Sequence, residues 1–308
     1  MPRLSIPFCH DHGPCDPARL SASAPARAGW FFAAVVLFVF TFATAGRCPG
    51  ADEADKQERE QKSRRRLEFM QSVIDELEVS SKDIKAASAL KPGKTPLLRY
   101  SDPTRSLERT AGLLDAGVWR LGESGRPTAL ITLEIYRGEK AKTILSHEFL
   151  SLVPSPLVIS SSRGRLWEPT TTSLKMAPLP GAARPADSPK ARMTQLRQMS
   201  RRFSVHETLA DGEKVECRLL PQPIDRYSDD DAGISDGALF VFANGTNPEL
   251  GLLLESSGDG WSYGAVRLSA AALYANLDGK EFFQAPQSFG QPKSSPYIGF
   301  GFPIALDE

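Results

Sequence analysis

The sequence predicts an α+β fold, mostly β, built as a tandem duplication of a unit that joins a helix to an antiparallel β-sheet. Three observations predict it. Pro96-Leu97-Leu98-Arg99-Tyr100-Ser101-Asp102 returns as Pro223-Ile224-Asp225-Arg226-Tyr227-Ser228-Asp229. Behind each copy, Ala111 to Glu134 can be laid on Ala232 to Glu255 without a gap, matching Asp115 with Asp236, Pro127 with Pro248, and Leu133-Glu134 with Leu254-Glu255. Ahead of each copy stands a stretch with helical spacing. Self-similarity of this kind marks a duplicated structural unit. The expected layout is a signal peptide or membrane anchor over 1–45, a charged helix and linker over 46–95, a first repeat over 96–183, and a second over 184–308 that includes its own helix.

Ala28 to Gly46 carries no charge, follows Arg27 and closes on Ala43-Thr44-Ala45. That is a basic region, an apolar region and a small-residue cleavage site, which reads as a signal peptide cut after Ala45. The same run is just long enough to span a bilayer as a helix, for which roughly 17 to 25 residues are needed, so an uncleaved anchor is the other reading. The expected location is outside the cytoplasm, periplasmic or secreted, with membrane contact only through this segment; for an anchor, Arg19 and Arg27 on one side and Arg47, Lys56 and Arg59 on the other do not decide the orientation. Lys and Arg balance Asp and Glu at zero net charge, so no global field argues for nucleic acid. Cys9, Cys15, Cys48 and Cys217 form no C-x-x-C pair and no disulfide framework, and whether Cys48 and Cys217 join is left open.

In chain order, Ala51 to about Glu78 reads as a highly charged helix with Leu67, Met70, Ile74 and Leu77 as a narrow apolar stripe. Val118 to Leu121 and Ala129 to Tyr136 flank a glycine- and proline-containing loop and read as a hairpin, continued by Thr143 to Val153 and Leu157 to Ser160. Residues 161–188 are rich in Ser, Thr, Pro, Gly and Ala, and Ala182 to Pro189 reads as the linker between the units. Ser188-Pro189 starts a second helix, whose stripe is Met193, Leu196, Met199 and Phe203. Lys214 to Leu220 alternates as a strand should. Ala238 to Ala243 and Leu250 to Glu255 are nearly continuous apolar runs, expected as central strands covered on both faces. Trp261 to Leu268 and Ala271 to Leu277 follow, the latter joined through the turn Asp278-Gly279 to Glu281-Phe282-Phe283, and Pro296 to Pro303 is expected as a last edge strand.

The best-specified polar feature is the repeated set Arg99, Tyr100, Ser101, Asp102 and Asp115 with Arg226, Tyr227, Ser228, Asp229 and Asp236. Paired carboxylates can hydrolyse glycosides, but each of these acids has a twin in the other copy, and a catalytic set needs unlike groups converging on one site. They are therefore read as scaffold. Ser and Asp fix turns through backbone hydrogen bonds, the Arg226 guanidinium meets the Asp229 carboxylate or Asp229 accepts backbone N–H groups, and Tyr227 lies toward the sheet. Asp229-Asp230-Asp231 lacks calcium-loop spacing, and the chain has no phosphate loop, dinucleotide fingerprint or nucleophile elbow. No catalytic, cofactor or metal residue is assigned. Trp119, Phe240, Phe242, Trp261 and Tyr263 are expected in the core rather than on a sugar-stacking face.

The Arg-Tyr-Ser-Asp segments, Ala-Gly-Leu-Leu-Asp-Ala-Gly over 111–117, and Asp236 to Glu249 together resemble a family of uncharacterised exported proteins of planctomycete bacteria. The resemblance covers most of the chain after the N-terminal segment. It implies export and supplies no activity, cofactor or site residue. The expected function is an exported or membrane-tethered, noncatalytic binding or structural module of the cell envelope with an unnamed partner or ligand. The alternative is an envelope hydrolase acting on polysaccharide or peptide.

Overall fold

The computed structural model describes residues 49–81, 90–102, 112–137, 142–154, 156–209, 211–258 and 260–306. The expected signal or anchor over 28–46 lies outside them, as does Cys48. Helix α1 (Pro49–Asp75) is followed by β1 (Glu78–Ser80), then by β2 (Leu98–Asp102), β3 (Leu113–Leu121), β4 (Ala129–Arg137) and β5 (Thr143–Ser151). Strands β2 to β5 pair in sequence order as an antiparallel meander, and β17 (Tyr297–Ile304) adds to the free edge of β5 to complete a five-stranded sheet. Strands β6 (Val158–Ser161) and β7 (Gly164–Trp167) join β1 in a small three-stranded sheet.

The remaining strands make a nine-stranded antiparallel sheet. They are β8 (Ala177–Pro178), β9 (Phe203–Thr208), β10 (Lys214–Leu219), β11 (Asp225–Asp229), β12 (Ile234–Asn244), β13 (Asn247–Ser257), β14 (Gly260–Arg267), β15 (Ala272–Leu277) and β16 (Lys280–Ala285). Their order is β16-β15-β9-β10-β12-β13-β14-β8, with β11 also on β12. Helix α2 (Pro189–Ser200) precedes β9; the Ser188 side chain accepts from the Ala191 N–H at its start, and Pro189 stands in its first turn.

Alternation along the strands decides the layers. In β4, Ile131, Leu133 and Ile135 turn to an outer cluster with Met70 and Ile74 of α1 and Trp167 of β7. Leu130 turns the other way, into a core shared by Val118 and Leu150 of one sheet and by Leu239, Val241, Leu253 and Val266 of the other. A third cluster joins Leu196 of α2 and Phe203, Leu273 and Ala275 of β9 and β15 to Phe240, Leu250 and Leu252, so the nine-stranded sheet folds over on itself. Each fully buried large side chain contributes about 1.5 to 3 kcal/mol, and most of them lie in strands.

The expected α+β tandem of two helix-plus-sheet units is overturned. The structure is mostly β, 49% strand against 16% helix, with two helices and three antiparallel sheets among the described residues. Periodicity identifies strands one at a time but does not say which sheet each one joins. Here β17, far along the chain, closes the first meander, while β9, β10, β15 and β16 enlarge the other sheet. One smaller reading is also corrected: Phe203 belongs to β9, not to the helical stripe, because α2 ends at Ser200. Strands β7 and β8 lie ahead of the stretch 182–188.

Candidate functional site

The Arg-Tyr-Ser-Asp segments are strands, not turns. Both β2 and β11 show the tyrosine buried and the serine exposed, and both have an irregularity in register between tyrosine and aspartate. Arg99 donates from Nε and Nη2 to the two carboxylate oxygens of Asp115 at 2.9 and 2.5 Å, and Arg226 does the same to Asp236 at 2.9 and 2.6 Å. Each guanidinium also reaches its neighbouring helix, Arg99 at the Ser63 carbonyl of α1 and Arg226 at the Pro189 carbonyl of α2. Arg192 of α2 adds a further bond to Asp236 at 2.9 Å. The arginine's partner is thus the aspartate on the adjacent strand. Asp229 instead accepts the Ala232 N–H at 3.0 Å. Tyr227 lies over Gly237, where a Cβ would come within 2.3 Å of its ring.

The two hairpins dock on each other. In the loop between β3 and β4, Gly125 has φ 67° and lies so close to Asp229 that a Cβ would come within 2.5 Å of its carboxylate. Arg120 beside that loop donates to Asp225 of β11 at 2.8 Å. Reciprocally, Thr246 between β12 and β13 donates to the Ser101 carbonyl of β2 at 3.0 Å. Arg99, Asp115, Arg226 and Asp236 thus tie strands to helices, and Asp229 and Ser101 lie where the two hairpins meet. The aromatics Trp119, Phe240, Phe242 and Trp261 are buried in the apolar clusters.

Where the layer between the two main sheets opens, a cavity of about 650 Å³ holds the most chemically varied group of side chains. Glu134 of β4 and Glu148 of β5 enter from the five-stranded sheet, Glu207 of β9 and Glu249 of β13 from the other. Glu134, Glu207 and Glu249 are buried and Glu148 is partly exposed. Hydroxyl and amide donors hold them. Glu134 accepts from Tyr100 at 2.9 Å and from Tyr136 at 2.7 Å, and Glu148 accepts from Tyr297 at 2.9 Å. Asn244 donates to Glu207, while Asn247, at 2.9 Å, and Ser269 donate to Glu249. Arg267 anchors the wall, donating to the Ser269 and Ala271 carbonyls at 2.9 and 2.6 Å with its guanidinium 4.8 Å from the Tyr297 ring centre.

None of the four glutamates has a Lys or Arg in salt-bridge contact among the described residues. Their electrostatics follow. Burial, then the charge of Glu207, pushes the Glu249 carboxyl up to about 8. Burial, then the charge of Glu134, raises Glu148 well above the carboxylate range, and burial raises Glu134 although both tyrosines oppose it. Asp211 and Glu213 add acidic groups to the lining.

Sequence reasoning singled out none of these four as site residues. They lie on four different strands, and only the pairing of β4 with β5 and the facing of the two sheets bring them together. An acid at a position whose alternation points it inward was the available signal. Among the described residues no group of His, Cys, Asp and Glu is placed to hold a metal ion, and no helix is long and apolar enough to cross a membrane. Cys217 is a buried free thiol whose pKa burial raises. Family models, characterised proteins and solved structures contain no match to the chain.

Proposed function

We propose that the protein is an exported or membrane-tethered, noncatalytic binding module of the cell envelope, and that its ligand is a small organic cation held in the acidic cavity between the sheets. One observation carries the reading: four glutamates from four strands converge on one cavity with no Lys or Arg in salt-bridge contact among the described residues, Arg267 acting on Glu148 and Glu249 only at longer range. A buried carboxylate without a counter-charge is costly, and here the protein lowers that cost by holding protons. An ammonium or guanidinium group would displace those protons and take up the charge-assisted hydrogen bonds that the glutamates offer. The tyrosines, asparagines and Ser269 orient the carboxylates and exclude alternative rotamers.

Calorimetry with 1,4-diaminobutane tests the binding. Saturable heat is expected, with proton release visible as a dependence of the enthalpy on the buffer, and affinity should rise as the pH passes about 8, where Glu249 ionises unaided. Glu249→Gln and Glu134→Gln should each weaken binding about ten-fold or more, as loss of a charge-assisted bond predicts. A folded protein that takes up no diamine would sink the assignment. For the envelope, N-terminal sequencing of protein exported by a Gram-negative host should give Gly46, or intact Met1 in membranes if the segment stays as an anchor. Recovery in the cytosol alone refutes export.

A second reading, an envelope hydrolase acting on polysaccharide or peptide, is favoured by one feature. Glu249 keeps its proton up to about pH 8 in the same cavity as three other carboxyls, which suits a general acid. Hydrolysis of envelope polysaccharide or peptide that disappears in Glu249→Gln would put this reading first.

A further inference from the structure

Successive residues of a strand point to opposite faces, so Glu148 and its neighbour His147 serve two different layers. Glu148 lines the acidic cavity, whereas His147 turns outward beneath α1 and the small sheet, into a separate cavity of about 320 Å³. That volume lies at the small end of the roughly 300 to 1,000 Å³ usual for ligand sites. Its walls are mostly apolar, from Val73 of α1, from Leu77, and from Phe302 and Ile304 of β17. Among the polar groups on the lining, His147 and Arg163 stand out. His147 is only 5% exposed, yet its Nδ1 has no hydrogen-bond partner, which is rare for a buried ring nitrogen. Arg163, in the turn between β6 and β7, lies over the Phe302 ring at 4.7 Å from its centre and makes no ion pair among the described residues.

Phe302 also stands 5.7 Å from the His147 ring, so the guanidinium and the imidazole flank one aromatic side chain at the cavity. We propose that this cavity is a second ligand site, for a small monocarboxylate with an apolar body, its carboxylate held by Arg163 and His147 and its hydrocarbon against Val73, Leu77 and Ile304. Each part has a physical reason. A guanidinium is the natural partner of a carboxylate. A neutral imidazole can carry its single proton on Nδ1 and donate it, which would satisfy a buried nitrogen that has no hydrogen-bond partner in the fold. Burial and the charge of Arg163 hold His147 down to about 4, so it meets the ligand as a neutral donor at physiological pH. Glu76 on the lining disfavours a second carboxylate.

The test uses the full protein and hexanoate, followed by calorimetry at neutral pH beside hexanol, hexylammonium and the dicarboxylate adipate. Hexanoate should bind saturably and more tightly than all three. Arg163→Gln should weaken it ten-fold or more while leaving 1,4-diaminobutane binding unchanged, which separates this site from the acidic cavity. His147→Phe should weaken hexanoate while holding or raising the melting temperature, because an apolar ring replaces an unsatisfied one among Phe149, Phe300 and Phe302. The proposal is overturned if the folded parent binds no hexanoate. It is equally overturned if hexylammonium binds as well as hexanoate, or if both variants keep the parent's affinity.

Discussion

Glu255 and Glu134 each accept a hydrogen bond from the tyrosine of an Arg-Tyr-Ser-Asp strand, Tyr227 at 2.6 Å and Tyr100 at 2.9 Å, yet among the described residues only Glu255 of the two is in salt-bridge contact with an arginine. Arg126 reaches across from the other hairpin and donates to both Glu255 oxygens, at 2.7 and 2.5 Å. At the matching place Glu134 has Tyr136 instead, and beyond it lie Glu148 and Glu249. Two similar hairpins thus bury the same acid, one paired with an arginine of the other hairpin and one held by tyrosine hydroxyls with no salt-bridge contact among the described residues. The difference teaches where to look for function in a scaffold with recurring parts: at the position where the recurring contact loses its counter-charge.

Removing the cation should break the comparison most visibly. Arg126→Met strips a bidentate partner from a carboxylate that is 2% exposed and should cost about 3 kcal/mol in chemical denaturation, since an unpaired buried charge remains. An unchanged stability would mean that Glu255 does not depend on Arg126 for its counter-charge. Next come the two acids themselves. Glu255→Gln leaves Arg126 unpaired and should cost about 2 kcal/mol, whereas Glu134→Gln removes a charge that nothing balances and should stay within about 1 kcal/mol of the parent. Equal destabilisation would erase the distinction between the two hairpins.

The pH dependence of stability sharpens the same point. Glu249 has a folded pKa of about 8 against about 4.5 in the unfolded chain, so between those values the folded state binds the extra proton. Stability from this group is therefore largest below about pH 4.5, falls as the pH rises toward about 8, and levels off above it; Glu134 and Glu148, also raised, act in the same direction. Thermal melts across that range should show the decline, and Glu249→Gln should flatten it. The smallest effect belongs to Asp229→Asn. Asparagine can still accept the Ala232 N–H, so the cost should be about 0.5 kcal/mol or less. A larger loss would show that the carboxylate charge at Asp229 matters to the docked Gly125 loop.

Much of the strand inventory was legible because local rules governed it. Ser188 and Pro189 announce α2, Asp278-Gly279 supplies the left-handed pair (φ 50° and 79°) between β15 and β16, and the unbroken apolar runs of β12 and β13 mark strands buried on both faces. What was not legible depends on long-range pairing. Phe203 continues the Met199 spacing perfectly well, and only its ladder with Leu277 makes it a strand residue. The partner of Arg226 was expected three residues away at Asp229 but lies across the ladder at Asp236, because in an extended strand neighbouring side chains diverge. Glu134, Glu148, Glu207 and Glu249 are each unremarkable alone. Their meeting requires both the order of strands and the facing of sheets, neither of which a single sequence states. The Leu-Glu pairs at 133–134 and 254–255 were visible as a match, but a match by itself does not show that one of them lacks its arginine.

Tyr297, the donor to Glu148, arrives on β17, which follows every other described strand in the chain. The hydrogen bond spans 149 residues of sequence, and the whole ladder between β5 and β17 closes a loop of similar length. Contacts this distant form late, after the local hairpins have been made. Until then β5 offers an unpaired edge, the kind of template that draws in foreign strands. During synthesis the sheet that carries Glu134 and Glu148 is sealed only when its final strand has emerged, so nascent and truncated chains should display a sticky β5 edge and no finished cavity.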